Sequence, residues 1–294
     1  MNFGPSRLNP TPRRGWTGML SFTPPGHLLP HRVPHVPRNR GPGGTPYGTV
    51  ANGDPECYIW GMDKIILHIP HSAPCNDFSG WTDQEAVRNE HDKWTDWHTD
   101  TIFKCTDPSL EPKVATVVFP VSRYTLDVER YLGDPMEQCG QGAIYTRTKD
   151  GSSERKVEPG VAVPLTAMYA NHWTTVAIAC QGTGLLIDCH SFPTDHSAPN
   201  SSGGDFDLCI GYSDDGTYPG DGVIETIAGH FRDAGYSVGI NEPFSNSFAP
   251  MPDFPSVMIE LRKGIYMDED TLELLSSAYK VNQLLNRIYG ELLG

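Results

Sequence analysis

The sequence predicts an α/β fold, a mostly parallel or mixed sheet flanked by helices, on three observations. Short apolar runs alternate with stretches of helical period, the pattern of strands joined by crossover helices. The run "GLLIDC" is continuously apolar up to its end, as in a strand covered on both faces. With 294 residues and 38% hydrophobic content, the chain is long enough to bury one large core.

Residues 1–61 come first and predict no element. They carry six Arg against Asp54 and Glu56, a charge of +4, while the remainder carries −18. Stretches such as "PTPRRGWTG" and "PRNRGPGGTPYG" hold too little apolar surface to offset chain entropy, so disorder is expected. Arg13 and Arg14 lack the unbroken apolar region that a twin-Arg export signal needs. A basic tail for an acidic partner is the weaker alternative. "MDKIILHIPHS" reads as the natural start of a folded domain, with Met62 directly before the first strand. The expectation is a Pro/Gly/Arg-rich extension over 1–61, or an upstream stretch translated from an early start, ahead of a single domain at 62–294.

Along that domain "KIILHI" is the first strand, and Pro70 ends its ladder because proline brings no N–H. "TDQEAVRNEHDKWTDWHTDTIFK" has apolar residues three and four apart and predicts a helix. "VATVVFPV" is β-branched and predicts a strand, and "LTAMYANHWTTVAIACQG" returns to the helical period. "GLLIDC" and "DLCIGY" are strands, "VIETIAGHFRDAG" a helix, and "SVGI" and "SVMIELR" strands again. The chain closes on "DEDTLELLSSAYKVNQLLNRIYGELL", expected to be one amphipathic helix. Its first residues are acidic, which suits the dipole, and Leu272, Leu274, Leu275, Tyr279, Val281 and Leu284 supply its buried stripe. No internal repeat interrupts this order.

Composition excludes several classes of function. A net charge of −14 argues against a nucleic-acid surface, because phosphate contacts need clustered Lys and Arg. The seven Cys are scattered and odd in number, without a CxxC pair, which points to free thiols in a reducing, cytoplasmic interior. No run reaches the length of a membrane span.

The chemistry lies where the apolar runs end in polar residues. "LLIDCHSFP" places His190 after a buried run, and "IILHIPHSAPC" places His71 just past another. In open α/β sheets, ligands and catalytic groups collect at the carboxyl edge. A lone His there is most simply a satisfied surface imidazole; two brought to one edge begin a metal site. Catalytic zinc commonly takes three protein ligands, often two His and a carboxylate. Glu85, Asp92, Asp96 and Asp100 in "EAVRNEHDKWTDWHTD" can all supply that carboxylate, and spacing alone does not choose among them.

The series "IPHSAP", "TDWHTDTIF", "VSRYTLDVER", "AIYTRTKDG", "LLIDCHSFP", "LCIGYSDDG", "INEPF" and "VMIELRKGIYM" resembles the N-formylglutamate amidohydrolase family, in order, over nearly all of residues 62–294. That family is similar in fold to the zinc carboxypeptidases, an α/β sheet with its metal at the carboxyl edge. The resemblance implies a zinc-dependent amidase acting on a small N-acyl amino acid with a free carboxylate. By position it makes His71 and His190 zinc ligands and the carboxylate of "TDWHTD" the third. Asp96 is favoured there because the Thr-Asp-Trp portion matches best, with Asp100 or Glu85 in reserve. The carboxypeptidases take their carboxylate three residues after the first His, where this chain has Pro74. Glu260 in "SVMIELRK" resembles their general base. Its alternative is an ion pair with Arg262, two residues on and on the same face.

"DVER" resembles the segment whose Arg holds a substrate carboxylate, so Arg130 and Arg123 are the substrate-binding candidates, with Asp127 between them to orient an Arg. The planar guanidinium suits this because it donates two parallel hydrogen bonds. Arg262 and Arg147 are weaker candidates, and His172 either lines the pocket or sits on a helix surface. The family's usual Asn before the second Arg is Glu129 here, and its Gly-rich turn is replaced by "NEPFSNSFAP". Both departures lie on the substrate side, so the acyl group and amino acid stay open. Other classes remain: a carboxypeptidase-like peptidase or deacylase for another acyl-amino acid, and a non-catalytic binding protein on the same fold. A Ser hydrolase using Ser72 or Ser191 would lack the G-x-S-x-G elbow.

Overall fold

Strand β1 (Ile65–Ile69) shows how the interior is divided, because successive side chains leave a strand on opposite faces. The structure, a computed structural model, describes residues 62–196, 205–247 and 253–294, and the expected extension at 1–61 lies outside them. Beside β1 stand β2 (Val114–Val118), β3 (Leu185–Phe192), β4 (Leu208–Gly211), β5 (Val238–Ile240) and β6 (Ser256–Arg262). They form one sheet in the order β2-β1-β3-β6-β4-β5. All neighbours pair in parallel except β4 with β6, so the sheet is mixed but mostly parallel.

On one face Ile65, Leu67 and Ile69 join Ile187, Cys189, Ile259 and Leu261 in the main core. Two helices cover this face, α4 (Asp221–Asp233) through Ile227 and Phe231 and α5 (Ser277–Leu293) through Leu285 and Ile288. The other face is apolar only near the start of the strands. There Ile66 and Leu186 pack with Val176 of α3 (Pro159–Ala179). Farther along, the same face carries His68 on β1, Asp188 and His190 on β3 and Glu260 on β6, since His68 registers with Asp188 and His190 with Glu260. The three strands run side by side and in the same direction, so their polar ends meet at one carboxyl edge.

Three expectations change in the structure. The strand read at "GLLIDC" does not end at Cys189: β3 continues to Phe192, all eight residues buried, because β6 pairs with it as far as Phe192 opposite Arg262. The run at 82–104 is two helices, α1 (Gln84–Trp94) and α2 (Thr99–Ile102). Asp83 caps α1 by accepting from the Glu85 and Ala86 N–H groups, and His98 at φ 64 breaks the chain ahead of α2. The last helix begins at Ser277, not Asp268, since Leu272 at φ 58 cannot continue a helix. Leu274, Leu275 and Tyr279 are therefore exposed, and the buried stripe runs through Ala278, Val281, Leu284, Leu285, Ile288 and Leu292.

Candidate metal centre

Asp96 reaches the sheet edge because α1 stops short of it. Its N–H donates to the His71 carbonyl at 3.1 Å, and Thr99 donates from Oγ1 to the Asp96 carbonyl at 2.9 Å. The backbone thus sets Asp96 against His71, which follows β1 beyond Pro70. Asp96 Oδ2 lies 3.0 Å from His190 Nδ1 and 3.7 Å from His71 Nδ1. All three residues are buried, and their ligand atoms lie within 4.8 Å of one another. Zinc bonds of about 2.0–2.2 Å place neighbouring ligand atoms roughly 3–3.5 Å apart, close to these spacings.

The donor chemistry fits a cation as well. His71 Nδ1 is a buried nitrogen with no hydrogen-bond partner, while its Nε2 is 2.9 Å from Asp127 Oδ1. His190 turns Nδ1 to Asp96 and has Nε2 3.2 Å from both Glu129 Oε1 and Asp188 Oδ1. Each imidazole thus has a carboxylate behind the nitrogen opposite Asp96. Metal-bound His usually has such a partner, which fixes the tautomer and leaves the other lone pair for the ion.

The electrostatics show the same demand for positive charge. Burial alone would hold His71 neutral, and Arg123 adds to that, yet Asp127 and Glu129 raise its pKa above the ordinary value. Burial likewise disfavours the Asp96 carboxylate, but His190 and His71 hold its pKa well below the usual range. In both cases the cause is the same, carboxylates facing imidazoles across a buried site.

Glu260 faces the same space from β6. Burial, reinforced by Asp96 and Glu129, pushes its carboxyl pKa up to about 8. A raised folded-state pKa means that the folded chain keeps a proton the unfolded chain has released. In the chelated protein Glu260 should therefore withdraw stability as pH rises from about 4.5 to about 8. Thermal melts of wild type and Glu260→Gln over that range check it, with a smaller decline expected in the variant.

A family model of the N-formylglutamate amidohydrolases matches residues 63–267. The chain belongs to the N-formylglutamate amidohydrolase family. Among solved structures it is similar to an N-formylglutamate amidohydrolase from Ralstonia eutropha JMP134, with 19% identity and a TM-score of 0.62, over 78% of this chain and 91% of that one. It is also similar to a gene product of Agrobacterium tumefaciens, with 14% identity and a TM-score of 0.54, over 79% and 90%. At such identities these two likenesses speak for the fold. A comparison with curated proteins gives no match.

Within this family fold the other candidates fall into distinct places. Arg123 donates to Asp127 Oδ2 at 3.2 Å and to the Trp94 carbonyl at 3.5 Å, so much of its fork is engaged. Arg130 lies 4.0 Å from the same carboxylate oxygen and keeps a third of its side chain exposed. Tyr145 completes the set by donating to Asp127 Oδ2 at 2.8 Å. His172 is buried rather than on a helix surface, its Nε2 2.9 Å from His68 Nε2. Arg262 pairs with Asp205 and donates to the Phe206 carbonyl, which leaves Glu260 without that ion pair. Arg147 pairs with Glu154 on the surface. The reserve carboxylates Asp100 and Glu85 are both exposed. Among the described residues no imidazole hydrogen-bonds the buried Ser191 Oγ, so the Ser-nucleophile alternative finds no base there.

Sequence reasoning placed Glu129 on the substrate side and left His68 and Asp188 out of the metal cluster. The available signal was period two: in "LLIDCHSF" Asp188 and His190 share a face, and His68 lies beside Asp188 once β1 and β3 are in register. Among the described residues no helix is long and apolar enough to cross a membrane. The six described Cys are free thiols.

Proposed function

We propose that this amidohydrolase is zinc-dependent and cleaves the amide of a small N-acyl amino acid carrying a free carboxylate, of the N-formylglutamate kind. The observation that carries the reading is the buried trio of His71, Asp96 and His190, with the unpartnered Nδ1 of His71 turned toward it. His71, Asp96 and His190 would hold the ion, whose chemistry is Lewis-acid polarisation of the acyl carbonyl. Glu260 takes the proton of the attacking water and passes it to the departing nitrogen, the transfer that amide cleavage requires. Its apolar strand supports that role, since burial keeps a carboxyl ready to carry a proton near neutral pH. Asp127 orients His71 and Arg123 together, and Arg130 receives the substrate carboxylate.

The test is the metal content of the purified chain together with its hydrolysis of N-formylglutamate before and after chelation. Zinc in the active protein, loss of activity with chelator and recovery with added Zn²⁺ are expected. Full activity in metal-free protein would overturn the reading. For recognition, Arg130→Lys keeps the charge and removes the fork. It is expected to lower kcat/KM for carboxylate-bearing substrates and to spare an uncharged N-formyl amide. Equal losses on the two substrates would make Arg130 structural.

A further inference from the structure

Behind the first trio stands a second one. His68 Nδ1 is 2.8 Å from Asp188 Oδ1 and 3.8 Å from Glu129 Oε1. The three ligand atoms lie within 4.8 Å of one another, with His68 and Asp188 buried and Glu129 half-buried. Two of these oxygens, Glu129 Oε1 and Asp188 Oδ1, also lie 3.2 Å from His190 Nε2.

Two carboxylates meet in this arrangement. Among the described residues the Glu129 carboxylate has three ion-pair partners, His68, His71 and His190, and no Lys or Arg within 4 Å. Glu129 Oε1 and Asp188 Oδ1 both face His68 Nδ1, at 3.8 and 2.8 Å. Two neighbouring, largely buried carboxylates need a positive charge between them.

We propose that His68, Glu129 and Asp188 hold a second divalent transition-metal cation, which makes the centre binuclear. The proposal rests on the reading that His71, Asp96 and His190 hold the first. One imidazole nitrogen and two carboxylate oxygens are a donor set that zinc and its first-row neighbours accept. The oxygens lie 2.8 and 3.8 Å from His68 Nδ1, bracketing the roughly 3–3.5 Å spacing expected around such an ion. His172 supplies the outer partner: with Nε2 2.9 Å from His68 Nε2, it can accept that proton and leave the Nδ1 lone pair facing the carboxylates. The cation then takes the place of the Nδ1 proton that the contact with Asp188 otherwise requires.

The experiment is a Zn²⁺ titration of the full-length chain after chelator treatment and dialysis, read as equivalents bound per chain. Wild type is expected to bind two and Glu129→Gln one, with the variant melting within a few degrees of wild type. Glu129 is the position to change because its side chain is partly exposed and the amide keeps its shape. A single equivalent in wild type overturns the binuclear centre and leaves the first site standing. Two equivalents retained by Glu129→Gln also overturn it, since Glu129 would then bind nothing. No bound zinc at all would sink the first site as well, which separates the two failures.

Discussion

Glu260→Gln is expected to keep the zinc content and melting temperature of wild type and to lower kcat by roughly 10²–10⁴, the range for loss of a general acid–base group. Three features of the structure bear on this. Glu260 registers with His190, so both side chains leave the sheet on the same face. Its expected competitor for an ion pair, Arg262, is held by Asp205 and the Phe206 carbonyl. Burial also raises its pKa, so the group can release and regain a proton near neutral pH. Gln has the same shape and cannot carry the proton. Activity within threefold of wild type, or a loss of zinc, would remove Glu260 from this role and turn attention to Asp127, Asp188 or Glu242.

Asp96→Ala is expected to remove one equivalent of zinc and nearly all activity. Asp96 is the one carboxylate of the first trio, and it faces both ligand nitrogens, at 3.0 and 3.7 Å. Removing an outer-shell partner of a metal ligand already costs about 10–100-fold in affinity, and removing the ligand itself should cost more. Metal content after gel filtration is the readout. Undiminished zinc would show that the ion sits elsewhere, and the exposed Asp100 and Glu85 would be poor replacements.

Much of the architecture was legible because strand and helix periods are local. "KIILHI", "GLLIDC" and "SVMIELR" each became a strand, and the polar residues at their ends came together at the carboxyl edge. Asp96 was legible only through the family likeness, since no period in the sequence shows the break between α1 and α2, where Thr95 turns extended and His98 left-handed. The roles of His68 and Glu129 were hidden for another reason. His68 looks like a strand residue among Ile65, Ile66 and Leu67, and only the pairing of β1 with β3 shows what stands beside it. Glu129 comes from a segment with no regular element, where no periodicity indicates direction. The closing helix was misjudged at its start because apolar residues at 272–275 imitate the stripe that α5 carries farther on.

The wide spacing of the paired groups along the chain bears on how this protein folds. His71 and Asp127 are 56 residues apart, Asp96 and His190 are 94, and His68 and Asp188 are 120. Closing such loops is slow and entropically costly, so these contacts form only as β1, β3 and β6 come into register. A metal ion held as proposed would therefore find little to bind in the unfolded chain or early on the pathway. It should lengthen the lifetime of the folded state while leaving the refolding rate nearly unchanged. Newly made chains would reach their shape without metal and become resistant to unfolding when they acquire it.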